Sequence, residues 1–296
     1  FLLANGPPNV EVLVNRGNVL HELQRFDDAI ADYDRALTIR PDQRDALLNR
    51  GKALKALGRR REALESYDRL LAIAPDHVEG LRGRGGELLD LEHPLEALAS
   101  FDVALALAPG QADILTGRCA ALWHLGRFEE SLTSANMAIA ADPRNAEAYF
   151  ACGNALQGLN RFEPAVEAYR TSLALGPGVG NVHGNLAAAL HVLGLHEEAI
   201  VHFDQAAALG ANAGEMQAGK SLVYLNLGRF GEGWREYDGR LTDRCMIVRD
   251  YAVPRWDGER VAGTLLVWGE QGLGDQIIFG SMIEERNGKV PEIRGL

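Results

Sequence analysis

Long apolar runs are missing from this chain. Nowhere do some 18 apolar residues follow one another, so no membrane-crossing helix is expected. Cysteine is scarce: Cys119, Cys152 and Cys245 are an odd number with no C-x-x-C spacing. They read as free thiols in a reducing compartment, the cytoplasm, and as neither a disulfide framework nor a zinc site. Positive charge is short too, and a formal net charge of −11 argues against nucleic acid as a partner, since phosphate binding needs a basic face. The eight histidines form no metal pattern. His191 and His196 stand five apart, a spacing that puts them on different faces of one helix, and no carboxylate–histidine cluster recurs, so no metal is expected. Secretory signal and initiator Met are both absent; the opening Phe1-Leu2-Leu3-Ala4 is what a trimmed fragment would show.

What is present is a period. Of the 296 residues, 47% are hydrophobic and 24% charged, enough to bury a core. Aligned at an interval of 34, residues 10–247 form seven blocks without insertion or deletion, starting at Val10, Arg44, Val78, Ala112, Ala146, Gly180 and Gly214. The eighth place reads Gly17, Gly51, Gly85, Cys119, Gly153, Ala187, Ser221, and the twentieth is Ala in five of the seven blocks. The twenty-fourth place reads Tyr33, Tyr67, Phe101, Ala135, Tyr169, Phe203, Tyr237. The thirty-second is Pro41, Pro75, Pro109, Pro143 and Pro177, then Ala211.

Each column has a physical cause. Antiparallel helices approach closely only where the side chains between them are small. A ring at the twenty-fourth place fills the gap to the next hairpin. Proline stops the second helix and restrains the residue before it. Asp42 with Asp45, and Asp76 with Glu79, are spaced as a helix N-cap and a first-turn acid. Arg16, Arg50, Arg84 and Arg118 recur at the seventh place, where their stems can pack between repeats and their heads reach solvent or acids.

These positions resemble the tetratricopeptide repeat (TPR), a 34-residue helix-turn-helix unit. The resemblance covers 10–247 and implies an all-α, right-handed superhelical solenoid of seven repeats. It also implies a concave groove lined by the first helices, which holds an extended peptide or a partner helix. Leu3 and Pro7 stand 34 residues before Leu37 and Pro41, so residues 1–9 read as the tail of a preceding repeat, and an open repeat end offers a surface for self-association.

In this family the second, fifth, sixth, ninth, twelfth and thirteenth places face the groove. The sixth carries Asn15, Asn49 and Asn185 but Gly83, Gly117 and Ala151 in the middle. The three asparagines resemble the ladder of O-linked N-acetylglucosamine transferases, which bonds a peptide backbone; the alternative is that they cap or solvate the helix surface. Trp123 and Phe150, with Leu89, Leu225 and His124, are either anchors for a partner or ordinary packing. The second place is nearly all acidic, which suits a basic ligand and equally stabilises the helix dipole.

After Tyr237 the period fails. Residues 248–263 read as a linker; Thr264-Leu265-Leu266-Val267-Trp268 is strand-like, Gly269 to Asp275 form a glycine-rich turn, and Gln276 opens a helical pattern. From Trp256 to Phe279 the chain resembles the start of the Rossmann-like glycosyltransferase domain that follows TPRs in many bacterial proteins. That resemblance implies that 264–296 begin an incomplete α/β domain in which Asp275 takes the acceptor's proton, on an acceptor loop with Gln271, Gly272 and Gly274. The alternative for Asp275 is a helix cap. A nucleotide-sugar would then be the donor for a longer protein, with no cofactor in this fragment. The chain as a whole is expected to recruit a protein acceptor for such an enzyme, or else to serve as a non-catalytic TPR adaptor.

Overall fold

A computed structural model describes residues 9–176 and 180–237. Its helices come in pairs. The first eight are α1 (Val10–Glu22), α2 (Phe26–Ile39), α3 (Arg44–Ala56), α4 (Arg60–Ile73), α5 (Val78–Asp90), α6 (Pro94–Leu107), α7 (Ala112–His124) and α8 (Phe128–Ala141). They continue as α9 (Ala146–Gly158), α10 (Phe162–Leu175), α11 (Gly180–Val192), α12 (His196–Ala208), α13 (Ala213–Asn226) and α14 (Phe230–Tyr237). Among the described residues there is no strand. The expected linker at 248–263 and the strand, loop and helix of 264–296, with Asp275, Gln271, Gly272 and Gly274, lie outside the described residues, as do positions 1–8 of the expected leading tail and Cys245.

Two compact units divide at Ala211 and Asn212. In the first, α1 to α12 make six hairpins; each even helix from α2 to α10 packs on the odd helix after it, and successive odd helices touch from α1 through α11. The second contains the hairpin α13–α14.

One turn recurs inside every hairpin. The fifteenth place is always left-handed, as Gln24 (φ 58°), Gly58 (φ 71°), Glu92 (φ 64°), Gly126 (φ 70°), Asn160 (φ 56°), Gly194 (φ 77°) and Gly228 (φ 71°). The next N–H reaches back five residues, as Arg59 N does to Leu54 O at 2.9 Å, so the helix's last carbonyls are satisfied in a Schellman-type stop. The hairpin-to-hairpin turn has a different cause. Arg40, Ala74, Ala108 and Asp142 each precede a proline and lie at φ −134° to −139°, outside the helical region, which ends the helix.

The small columns are fully buried, with Ala29, Ala63, Ala97, Ala165 and Ala199 at 0% exposure. The aromatic column does more than fill a gap. A Cβ at Gly51 would stand 2.7 Å from the Tyr67 ring and one at Gly83 would stand 2.6 Å from it, so the ring is gripped between its own repeat and the next. Phe101 is gripped in the same way by Gly85 and Gly117. The fourth repeat inverts the sizes: Ala135 replaces the ring, and Cys119 replaces the glycine. The Cys119 sulfur lies 2.9 Å from Ser131 Oγ and 3.8 Å from Ala151 O, and burial pushes its thiol up to about 11. This is a packing cysteine and not a reactive one.

The arginine column forms clamps. Arg50 donates to Asp34 at 2.7 Å and to Ser66 at 2.6 Å, joining the even helices of two repeats. Arg84 repeats this with Asp68 and Ser100, and Arg118 with Asp102 and Ser134. In the first repeat Arg16 turns to Asp32, which stands where the next three repeats have serine.

Two local expectations change. Asp42 and Asp76 are not the caps; Gln43 and His77 are, one residue later, and His77 Nδ1 accepts from Gly80 N at 3.1 Å. Asp45 and Glu79 do lie in the first turn. His191 and His196 are not on one helix. They flank the turn from α11 to α12, which brings their Nδ1 atoms to 3.3 Å. A second pair, His183 and His202, stacks within the same repeat with Nδ1 atoms 2.8 Å apart.

The inverted sizes at the fourth repeat should behave as a coupled pair. Ala135→Phe alone is expected to cost about 1–3 kcal/mol by overpacking. Adding Cys119→Gly should recover most of that loss, as measured by urea unfolding. Equal stability of the single and double variants would show that the two positions do not share one space.

The histidine pairs set a pH dependence. Burial lowers the pKa of His183, His191 and His202, and the partner histidine's charge lowers the first two further; Glu198 opposes this at His202. Folded values below the ordinary one mean that the unfolded chain binds more protons, so this stability is full above about pH 6.5 and is lost as pH falls. Melting temperature should therefore drop between about pH 7.5 and pH 5.5, and less so in His202→Gln. A parallel drop in that variant would assign the effect elsewhere.

Candidate functional site

The odd helices of the first unit line a cavity of about 660 Å³. Most of its lining comes from the places that the resemblance puts on the groove. Arg82, Thr116 and Phe150 come from the fifth place, Gly86, Ala120 and Asn154 from the ninth, and Leu89 and Trp123 from the twelfth. The space exists because the floor is made of small residues. Gly117 and Ala151 at the sixth place and Gly86 and Ala120 at the ninth leave room that an asparagine would fill. The break in the asparagine column is thus where the cavity lies.

At either end of the cavity the asparagines are engaged. Asn49 Nδ2 donates to Asn18 Oδ1 at 2.9 Å, and the Tyr33 hydroxyl donates to the same oxygen at 2.8 Å. Asn185 Nδ2 donates to Asn154 Oδ1 at 2.7 Å, and Tyr169 donates there at 2.9 Å. Each is a tie between successive odd helices, closed on the gripped ring. Asn15, at the same place in the first repeat, is exposed. Asn18 and Asn154 are the residues that sequence reasoning missed. The signal was present: the two repeats with Asn at the ninth place are the two followed by Asn at the sixth.

Trp123 and Phe150 both face the cavity. Trp123 remains 41% exposed, with its indole N–H donating to Asn154 O at 3.3 Å and its ring edge-on to His124. Phe150 is half-buried, its ring 6.0 Å from Tyr169. Leu89 and His124 line the same space. Leu225 belongs to α13 of the second unit and packs over Gly233 of α14, where a Cβ would stand 2.7 Å from it.

Charges around the cavity are mostly paired across repeats. Arg82 meets Asp113 at 3.3 Å, Arg60 meets Asp90 at 3.3 Å, and Lys55 stands 3.6 Å from Glu87. Glu87 occupies a tenth place that is Ala in four other repeats; it is fully buried, and neither carboxylate oxygen receives a hydrogen bond. Burial accordingly raises its pKa. Among the described residues no group of three or more His, Cys, Asp or Glu is placed to hold a metal ion, and no helix is long and apolar enough to cross a membrane.

Comparison with known proteins agrees with this register. Family models described as tetratricopeptide repeats match residues 17–58, 44–77 and, in three overlapping stretches, 85–146, 120–178 and 150–216. Protein FlbA of Caulobacter vibrioides is 36% identical over 73 residues, 24% of this chain and only 12% of that protein. A tetratricopeptide repeat protein from Parabacteroides merdae superposes with a TM-score of 0.61 at 23% identity, over 74% of this chain and 86% of its own. The Cut9–Hcn1 structure from the APC/C gives 0.67 at 16% identity, over 75% and 44%. PilW, a type IV pilus biogenesis factor, gives 0.61 at 20%, over 69% and 94%. The ring grip, the left-handed fifteenth place and these matches have one explanation: this chain is a tetratricopeptide-repeat protein.

Proposed function

We propose that the array is a protein-interaction scaffold that holds an extended peptide or partner helix in the cavity between α5 and α9. The observation that carries this is a floor of small residues beside an exposed indole and a half-buried phenyl ring. Aromatic anchors in a recessed, partly desolvated site are where binding energy concentrates. Asn49 and Asn185 border the site and hold its ends in register, while Trp123 and Phe150 supply contact area.

The larger role we propose is recruitment of a protein acceptor for a glycosyltransferase. Its support is the string from Trp256 through Gly269-Glu270-Gln271-Gly272-Leu273-Gly274-Asp275 to Phe279, which follows the repeats in the order that such enzymes show. In that reading 248–263 are the linker, Asp275 is the general base, Gln271, Gly272 and Gly274 shape the acceptor loop, and a nucleotide-sugar is the donor. A non-catalytic adaptor is the second reading, and the fold suits it equally.

Two measurements test these roles. With the tightest member of a peptide library, Trp123→Ala should weaken binding by about 10-fold or more in calorimetry, with the melting temperature unchanged. Unaltered affinity would move the site off this cavity. In the intact protein Asp275→Asn should lower sugar transfer by about 100- to 10,000-fold while donor binding persists. Full activity in that variant would leave Asp275 as a helix cap.

A further inference from the structure

The second-place acids on the groove edge are neutralised from the preceding repeat where that repeat offers a cation. Glu79 is met by Lys52, from the ninth place, at 2.6 Å. Asp113 is met by Arg82, from the fifth place, at 3.3 Å. For Glu147, the next acid along the groove, the corresponding places are Ala120 and Thr116, and neither can supply a cation. Glu147 lines the cavity and is exposed, and no ion pair reaches it among the described residues. The cations that also line the cavity, Lys55 and Arg82, are held by Glu87 and Asp113. The dipole of α9 stabilises Glu147 as that of α7 stabilises Asp113, so the dipole alone does not account for the difference between them.

The same two positions that lack a cation are part of the cavity wall, with Trp123 and Phe150 beside them. A positive side chain entering there would find the Phe150 ring, three residues on from Glu147 along α9, for its charge and the Glu147 carboxylate for its N–H donors, a combination that suits a guanidinium. We infer that the cavity takes a basic segment of a partner protein, with an arginine side chain set against Phe150 and paired with Glu147. The cation that the fourth repeat omits is thereby supplied by the partner. This rests on the groove reading above and adds the partner's charge to it.

The test uses three acetylated peptides of about twelve residues in an Ala/Ser background, with Leu-Arg-Leu, Leu-Gln-Leu or Leu-Glu-Leu at the centre. Affinities for the full chain are measured by calorimetry at low and high salt. The arginine peptide should bind about tenfold tighter than the glutamate peptide, and salt should shrink that ratio. Glu147→Gln should weaken the arginine peptide about threefold and leave the glutamine peptide unchanged. Trp123→Ala should weaken all three. If Trp123→Ala weakens all three but the charge ranking is absent, or survives Glu147→Gln intact, the inference fails while the groove reading stands. If none of the three binds at millimolar concentration, or none responds to Trp123→Ala, the groove reading fails and takes the inference with it.

Discussion

The contact on which the rest of this array depends is the grip on the ring at the twenty-fourth place. Tyr33, Tyr67, Phe101 and Tyr169 each press on the backbone of the odd helix in their own repeat, at a distance where a Cβ would stand 3 Å or less from the ring. Tyr67 and Phe101 press on the next odd helix as well, at Gly83 and Gly117. An interior packed this closely tolerates no independent drift of the two helices. The spacing of the hairpins, and so the curvature of the groove wall in the first unit, follows from a size rule at three positions. Where the rule is inverted, at Cys119 and Ala135, it is inverted on both sides together, so that the cysteine makes up part of the volume the missing ring gives up.

Ring chemistry then decides what happens on the groove side. A tyrosine brings a hydroxyl that can close a tie through Asn at the ninth place to Asn at the next sixth, as at both ends of the cavity. Phe101 has no hydroxyl, and Ala135 has no ring. Between the tied ends lies a stretch without such ties, and there the floor can be small. The arginine clamps hold that same stretch from the other helices: Arg84 and Arg118 span successive even helices. Exposed ion pairs contribute little singly, but each clamp joins a carboxylate and a hydroxyl on two different helices and leaves the arginine only 25–28% exposed. Opening on the groove side therefore does not loosen the stack.

Much of this was legible in the sequence because it is periodic. A rule imposed seven times leaves columns, and small, aromatic and proline columns each have one plain cause. What was not legible was pairwise. Asn49 reads as a groove residue by its place, yet its amide is directed to Asn18, 31 residues away, and only the joint occurrence of the two asparagines hints at it. His191 and His196 were misplaced because a spacing of five has opposite meanings within one helix and across a tight turn. The left-handed fifteenth place escaped notice because Gln24, Glu92 and Asn160 adopt it without the glycine that announces it elsewhere. Asn tolerates that conformation well and Gln and Glu less so, which means that the flanking helices hold the turn.

The glycines of α5 separate packing from function. Four occur within seven residues, and glycine in a helix interior costs about 1 kcal/mol relative to alanine. Gly80 is required by Leu70, Gly83 by Tyr67 and Gly85 by Phe101, since a Cβ at any of them would come within 3 Å of the side chain named. Gly86 is different. A Cβ there would meet only the Lys55 ammonium at 3.3 Å, the mobile end of a long side chain, so internal packing does not demand a glycine. What the missing side chain leaves empty is part of the cavity. Gly86, next to two glycines that the rings require, adds room on the groove face without serving the core. In the proposed function that room is what a bound partner occupies.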